Sequence, residues 1–131
     1  IAKGLSPFAP DKVAIKAGKI LLSEIENSLR RKIDFGFETT LAWQGYVKTF
    51  QKAKKLGYEL HLFFLWLPDV RLALARVADR VKKGGHNILK RDVRRRFNRG
   101  LINLFKIYQP LLHTWTVFDN STTIPKVIAK T

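Results

Sequence analysis

The chain has 131 residues, 46% of them hydrophobic, with 25 Lys or Arg against 10 Asp or Glu for a formal charge of +15. That apolar share offsets the entropy of ordering and excludes wholesale disorder, and the length suits one domain with its own core. The absence of Cys excludes disulfides, thiolate zinc sites and thiol nucleophiles.

The opening IAKGLSPFAP reads as a loop punctuated by Gly4, Pro7 and Pro10, with Asp11 placed to cap a following helix. Val13, Ala17, Ile20, Leu21, Ile25, Leu29 and Ile33 recur at three- and four-residue steps, the stripe of an amphipathic helix. Lys16, Lys19, Ser23, Glu26 and Arg30 occupy its other side. Asp34 breaks the pattern, and Phe35 to Thr40 reads as a short strand ending in polar residues. A second helix is expected from about Ala42 to Leu56, stopped by Gly57. The segment from Tyr58 to Leu67 is the clearest strand. Its HLFFLWL run is apolar at consecutive positions, as in a parallel sheet covered on both faces, which also makes His61 a satisfied core residue.

Pro68 ends that strand and Asp69 can cap a helix whose buried stripe is Val70, Ala73, Leu74, Val77 and Val81. Gly84-Gly85 stops it, and a further helix from about Lys90 to Tyr108 aligns Val93, Phe97, Leu101, Leu104 and Tyr108, with Pro110 just beyond. Phe97 and Phe105 fit the buried side of this helix better than a base-stacking role. Residues 115–120, WTVFDN, form another strand closing on a turn, whereas the tail STTIPKVIAKT is ambiguous. This alternation predicts an α/β fold with a parallel sheet and helical crossovers.

The longest apolar stretch, Leu60 to Pro68, falls well short of the ~20 residues of a membrane span, and the N-terminus lacks a signal-peptide pattern. The expected setting is cytoplasmic. A chain that begins Ile1-Ala2-Lys3-Gly4 and contains no Met is expected to be a piece of a longer protein.

Positive charge is concentrated between Arg71 and Lys106, where twelve basic residues face only Asp79 and Asp92 and supply +10 of the +15. Such a run can be two solvated helix faces. Broken by Gly84-Gly85, it can also be a hinged basic hairpin that closes on a polyphosphate, because guanidinium forks bind phosphate oxygens bidentately. Nucleic acid would use the same charges. Because Arg94, Arg95 and Arg96 point in three directions around a helix, at least one must face the interior or a cleft. The second candidate is Glu38-Thr39-Thr40 at the end of the expected strand, where open α/β sheets bind ligands; the alternative is a surface Glu with a threonine turn. Asp119-Asn120 is ordinary turn chemistry. His61, His86 and His113 share no metal-ligand spacing, and the chain contains no GxxxxGK[ST] loop.

The segments IAKGLSPF, FGFETTLA, HLFFLWLPDVRLALARVADRVKKGGHNI, RRRFNRGLINLF and WTVFDNS resemble the zeta toxin-like P-loop kinases, in matching order from Ile1 to about Ser121. The resemblance implies an incomplete P-loop kinase-like sheet with a helical lid: residues 1–68 on the substrate side, 69–110 the lid hairpin, and 111–131 the last strand and tail. It implies ATP with Mg²⁺, a hydroxylated small-molecule acceptor, and a possible antitoxin partner. Zeta toxins proper phosphorylate a nucleotide-activated amino sugar. Glu38, Thr39 and Thr40 would line the substrate side, and Arg80, Arg95 and Arg96 would be lid arginines facing ATP phosphates. The family's first strand, Walker A loop and Asn-Ala-Asp segment have no counterpart in these residues, so no catalytic residue is retained. Leu89 stands where the lid motif usually has Pro, and His113 where an acidic residue is usual. The expectation is therefore a chain inactive as given, with a non-enzymatic module binding nucleic acid or an acidic protein as the alternative.

Overall fold

The computed structural model describes residues 10–131, which divide into two compact units between Glu38 and Thr39. The opening loop with Gly4 and Pro7 lies outside the described residues, as do the side chains of Asp11 and Val13.

In the first unit, helix α1 (Pro10–Arg31) begins one residue ahead of Asp11, which therefore sits in its first turn and not at its cap. The expected stripe is real: Ile25 and Leu29 are buried, Ala17, Ile20 and Leu21 half-buried, and the charged positions opposite are exposed. Lys32 adopts a positive φ of 55°, and the Ile33 N–H donates to the Ser28 carbonyl at 3.1 Å. This closure ends the helix early and leaves Ile33 exposed beyond it. The strand expected over Phe35–Thr40 does not form. Extended backbone becomes a strand only beside a ladder partner, and no described strand pairs with this segment.

The second unit is built on helix α2 (Tyr46–Lys55), strand β1 (His61–Trp66), helices α3 (Val70–Lys82) and α4 (Lys90–Asn103), and strands β2 (Thr114–Asp119) and β3 (Lys126–Lys130). Helix α2 starts four residues later than Ala42, and it stops where expected. Gly57 takes φ 87°, and the Tyr58 N–H reaches the Ala53 carbonyl at 3.1 Å. Asp69 caps α3 by accepting from the Leu72 N–H at 2.9 Å. At the other end Gly84 takes φ 80°, and the Gly85 N–H donates to the Arg80 carbonyl at 2.8 Å. A Cβ on Gly85 would lie 2.7 Å from that carbonyl oxygen, so the double glycine is the stop this helix needs. The stripe of α3 is only half-buried, and Val81 is exposed.

Helix α4 runs on into a π-helical turn (Leu104–Tyr108) and a 3₁₀ turn (Gln109–Leu111) carrying Pro110. Val93, Leu104 and Tyr108 are buried and Phe97 and Leu101 half-buried, as the spacing predicted. Phe105 departs from its expected burial: it is exposed and meets the Trp115 ring edge-on at 5.4 Å.

The sheet is mixed, which corrects the parallel expectation. β1 pairs in parallel with β2, from His61 opposite Thr114 to Trp66 opposite Asp119, across the crossover through α3 and α4. β3, the ambiguous tail, pairs antiparallel on the other edge of β2 with an irregularity between Val117 and Phe118. The short link from Asn120 to Pro125 cannot make the dozen-residue crossover a parallel pair requires. Nor is β1 covered on both faces. Val117 is buried and Phe64 and Trp66 half-buried on one side, where a Cβ on Gly100 of α4 would lie 3.6 Å from the Phe64 ring. On the other side Phe63 is 69% and Leu65 57% exposed. His61 shares that open face, so it is satisfied but not a core residue: its Nδ1 is 2.7 Å from the Thr114 hydroxyl and its Nε2 3.5 Å from Glu59.

A strand edge with an open apolar face is a template for intermolecular pairing. The isolated chain is expected to self-associate as its concentration rises. Light scattering should show Phe63→Lys with Leu65→Lys suppressing that association, and a monomeric wild-type chain at high concentration would contradict it.

Candidate functional site

The site grows from one buried polar residue. Asn103, the last residue of α4, is 4% exposed, and its Nδ2 donates to the Leu41 carbonyl at 2.7 Å. Its Oδ1 accepts from Gln44 Nε2 at 3.4 Å. Leu41, itself 2% exposed, is held at φ 55°, a left-handed conformation that costs a non-glycine residue about 1 kcal/mol or more. Its N–H donates to the Thr39 hydroxyl at 3.2 Å, so a side chain satisfies the backbone on both sides of the strained residue. Further along, the Tyr108 hydroxyl donates to the Trp43 carbonyl. Burial pushes the Tyr108 phenol above its ordinary pKa, keeping it a neutral donor.

These bonds hold residues 41–44 in a fixed irregular turn, which is why the helix expected from Ala42 begins only at Tyr46. Gly45 is required within it, because a Cβ there would lie 1.9 Å from the Trp43 indole. The indole meets the Tyr46 ring edge-on at 4.9 Å, and the aromatic series continues through Phe50 to Tyr108. Close contact is also needed where α4 passes the turn: a Cβ on Gly100 would lie 2.7 Å from the Thr40 carbonyl oxygen.

Between this turn and α4 lies a pocket of about 520 Å³, lined by residues 42–45 with Arg95, Arg99 and Asn103. Arg95 makes one ion pair, with Asp92 at 3.3 Å. Among the described residues no carboxylate lines the pocket. Of the sequence-expected arginines, only Arg95 reaches it; Arg80 packs over Gly85 and Arg96 is half-buried outside the lining. Arg99, Trp43 and Gln44 belong to the pocket and were missed. The i, i+4 spacing of Arg95 and Arg99 was the available signal.

Glu38 closes the first unit and is exposed, whereas Thr39 and Thr40 open the second. The Thr39 hydroxyl holds the Leu41 turn. His113 is structural, its Nδ1 accepting from the Leu60 N–H at 2.9 Å, and His86 is exposed. Asp119 forms the expected turn, accepting from the Ser121 N–H at 2.9 Å. Among the described residues no group of three or more His, Cys, Asp or Glu side chains could hold a metal ion, and no helix is long and apolar enough to cross a membrane.

A mixed α/β unit whose basic helix pair bridges two parallel strands is the class of protein this geometry defines. The zeta toxin family model matches residues 10–125, and the chain belongs to that family. An uncharacterized protein of Haemophilus influenzae is 31% identical over 97 residues, covering 74% of this chain and 69% of the relative. No solved structure matches the chain.

Asn103→Leu strands the buried Leu41 carbonyl and should destabilise the chain by about 1–3 kcal/mol, measured by denaturant melts. The hydroxyl and N–H of Ser121 hold the Asp119 carboxyl below its usual pKa. Its contribution to stability is therefore complete above the unfolded value of about 3.9 and is lost as pH falls through the lower folded value. Melts of Asp119→Asn against wild type should differ near neutral pH and converge in acid.

Proposed function

We propose that the chain carries the substrate-side and lid elements of an ATP-dependent small-molecule kinase, and that these 131 residues by themselves do not transfer phosphate. The family match over residues 10–125 carries the reading. In it, residues 1–68 serve the acceptor, 69–110 form the lid and 111–131 complete the sheet, with Glu38, Thr39 and Thr40 toward the hydroxylated acceptor, possible acceptors including a nucleotide sugar. Arg80, Arg95 and Arg96 neutralise ATP phosphates.

The donor set supports one half of the nucleotide complex better than the other. Phosphoryl transfer asks the protein mainly for positioning and charge neutralisation, and exposed guanidiniums on α3 and α4 suit phosphate oxygens. Mg²⁺ does not fit the described residues, which offer no group of three or more His, Cys, Asp or Glu side chains to hold it. The sequence likewise contains no GxxxxGK[ST] loop to cradle phosphates.

A second reading, a non-enzymatic module for nucleic acid or an acidic protein such as an antitoxin, draws on the exposed basic residues of α3 and α4. Its binding to nucleic acid would weaken linearly in log salt.

The expected outcome with ATP, magnesium and candidate hydroxylated acceptors is no turnover above buffer. Turnover by this chain would overturn the inactivity. Joined to a Walker A-containing segment of the family, the chain should acquire kinase activity that Arg95→Ala or Arg96→Ala removes.

A further inference from the structure

The pocket beside α4 shares Arg95 with the lid proposed above, and its other lining groups carry an inference beyond that reading. Its two charged lining side chains, Arg95 and Arg99, are one helical turn apart, so their Cβ atoms stand roughly 5–6 Å from each other. Like charges at that spacing repel, and an anion between them removes the repulsion. Asp92 takes one contact from Arg95, which leaves most of its five N–H donors available. No ion pair to Arg99 occurs among the described residues.

Trp43 adds an aromatic ring to the same lining. One side of the Trp43 indole lies against Gly45 and its edge meets Tyr46, yet the residue is 53% exposed. A flat exposed indole beside cations stacks on a planar base or on the apolar face of a sugar ring. The Gln44 amide stands between, tethered to Asn103. The turn bearing both residues is held in advance by Asn103 and Tyr108 at the cost of strain in Leu41, so little ordering remains to be done when a ligand arrives. A volume of about 520 Å³ accommodates one ring and one phosphate group.

The geometry points to a binding site for a phosphate monoester carried on a flat-faced ring, with Arg95 and Arg99 on the phosphate and Trp43 on the ring. Nucleoside monophosphates and hexose phosphates share that chemistry. The site requires no phosphoryl transfer, so its test is separable from that of kinase activity.

Isothermal titration calorimetry of the full chain with AMP, glucose 1-phosphate, inorganic phosphate, adenosine, glucose and ATP tests it. At least one monoester should bind more tightly than both inorganic phosphate and its own unphosphorylated ring compound, and which one binds identifies the ring. Arg99→Gln should weaken that ester about tenfold or more, with Arg99→Lys between the two. Trp43→Leu should weaken the ester about threefold or more and leave inorganic phosphate unchanged. Circular dichroism melts establish that each variant is folded, and Arg94→Gln, on the same helix but outside the lining, should have little effect. The proposal is overturned if no monoester binds, if only ATP binds, if the ring compounds bind equally without phosphate, or if Arg94→Gln weakens binding as much as Arg99→Gln.

Discussion

The hydrogen bond from Asn103 to the Leu41 carbonyl is the constraint on which the second unit depends. An amide buried at the end of a helix must be satisfied, and a leucine carbonyl turned inward by a positive φ must be satisfied too. Each supplies the other's partner across 62 positions of sequence. The bond stops α2 from starting at Ala42, and it fixes Gln44. With the Tyr108–Trp43 bond it sets the wall of the pocket, while Gly100 allows α4 to approach the same turn closely. Removing the clamp would therefore release strain and pocket together.

The basic charge acquires a direction from that clamp. Read along the chain, the arginines of α4 form an undifferentiated run; packed against the 41–45 turn, Arg95 and Arg99 become the cationic wall of a cavity while Arg94 stays exposed and Arg96 is half-buried outside it. The zeta toxin family match spans this basic helix pair, which lies between two parallel strands, and two of its arginines line the pocket.

Much of the fold was legible because it rests on local chemistry. The Asp69 cap, the stops at Gly57 and Gly84-Gly85 and the buried stripe of α4 each depend on residues a few positions apart. The failures share a different cause. Phe35–Thr40 has strand-like residues but no described strand beside it, and HLFFLWL has a continuously apolar sequence but only one covered face. Composition records what a segment can bury, and neighbours decide whether it does. The tail was unreadable for the same reason: KVIAK becomes β3 only because the free edge of β2 accepts it.

By itself the sequence determined an α/β chain of one-domain length, its helix boundaries to within a turn at most ends, the concentration of charge between Arg71 and Lys106, and its family resemblance. Periodicity, capping and charge are written in near neighbours, where side-chain chemistry acts directly on the local backbone. Tertiary structure alone decided that the sheet is mixed, that one face of β1 stays open, and that Trp43 and Gln44 meet Arg95 and Arg99. Those outcomes depend on long-range pairing and on one buried amide satisfying one strained carbonyl, a match between distant residues that no local pattern encodes.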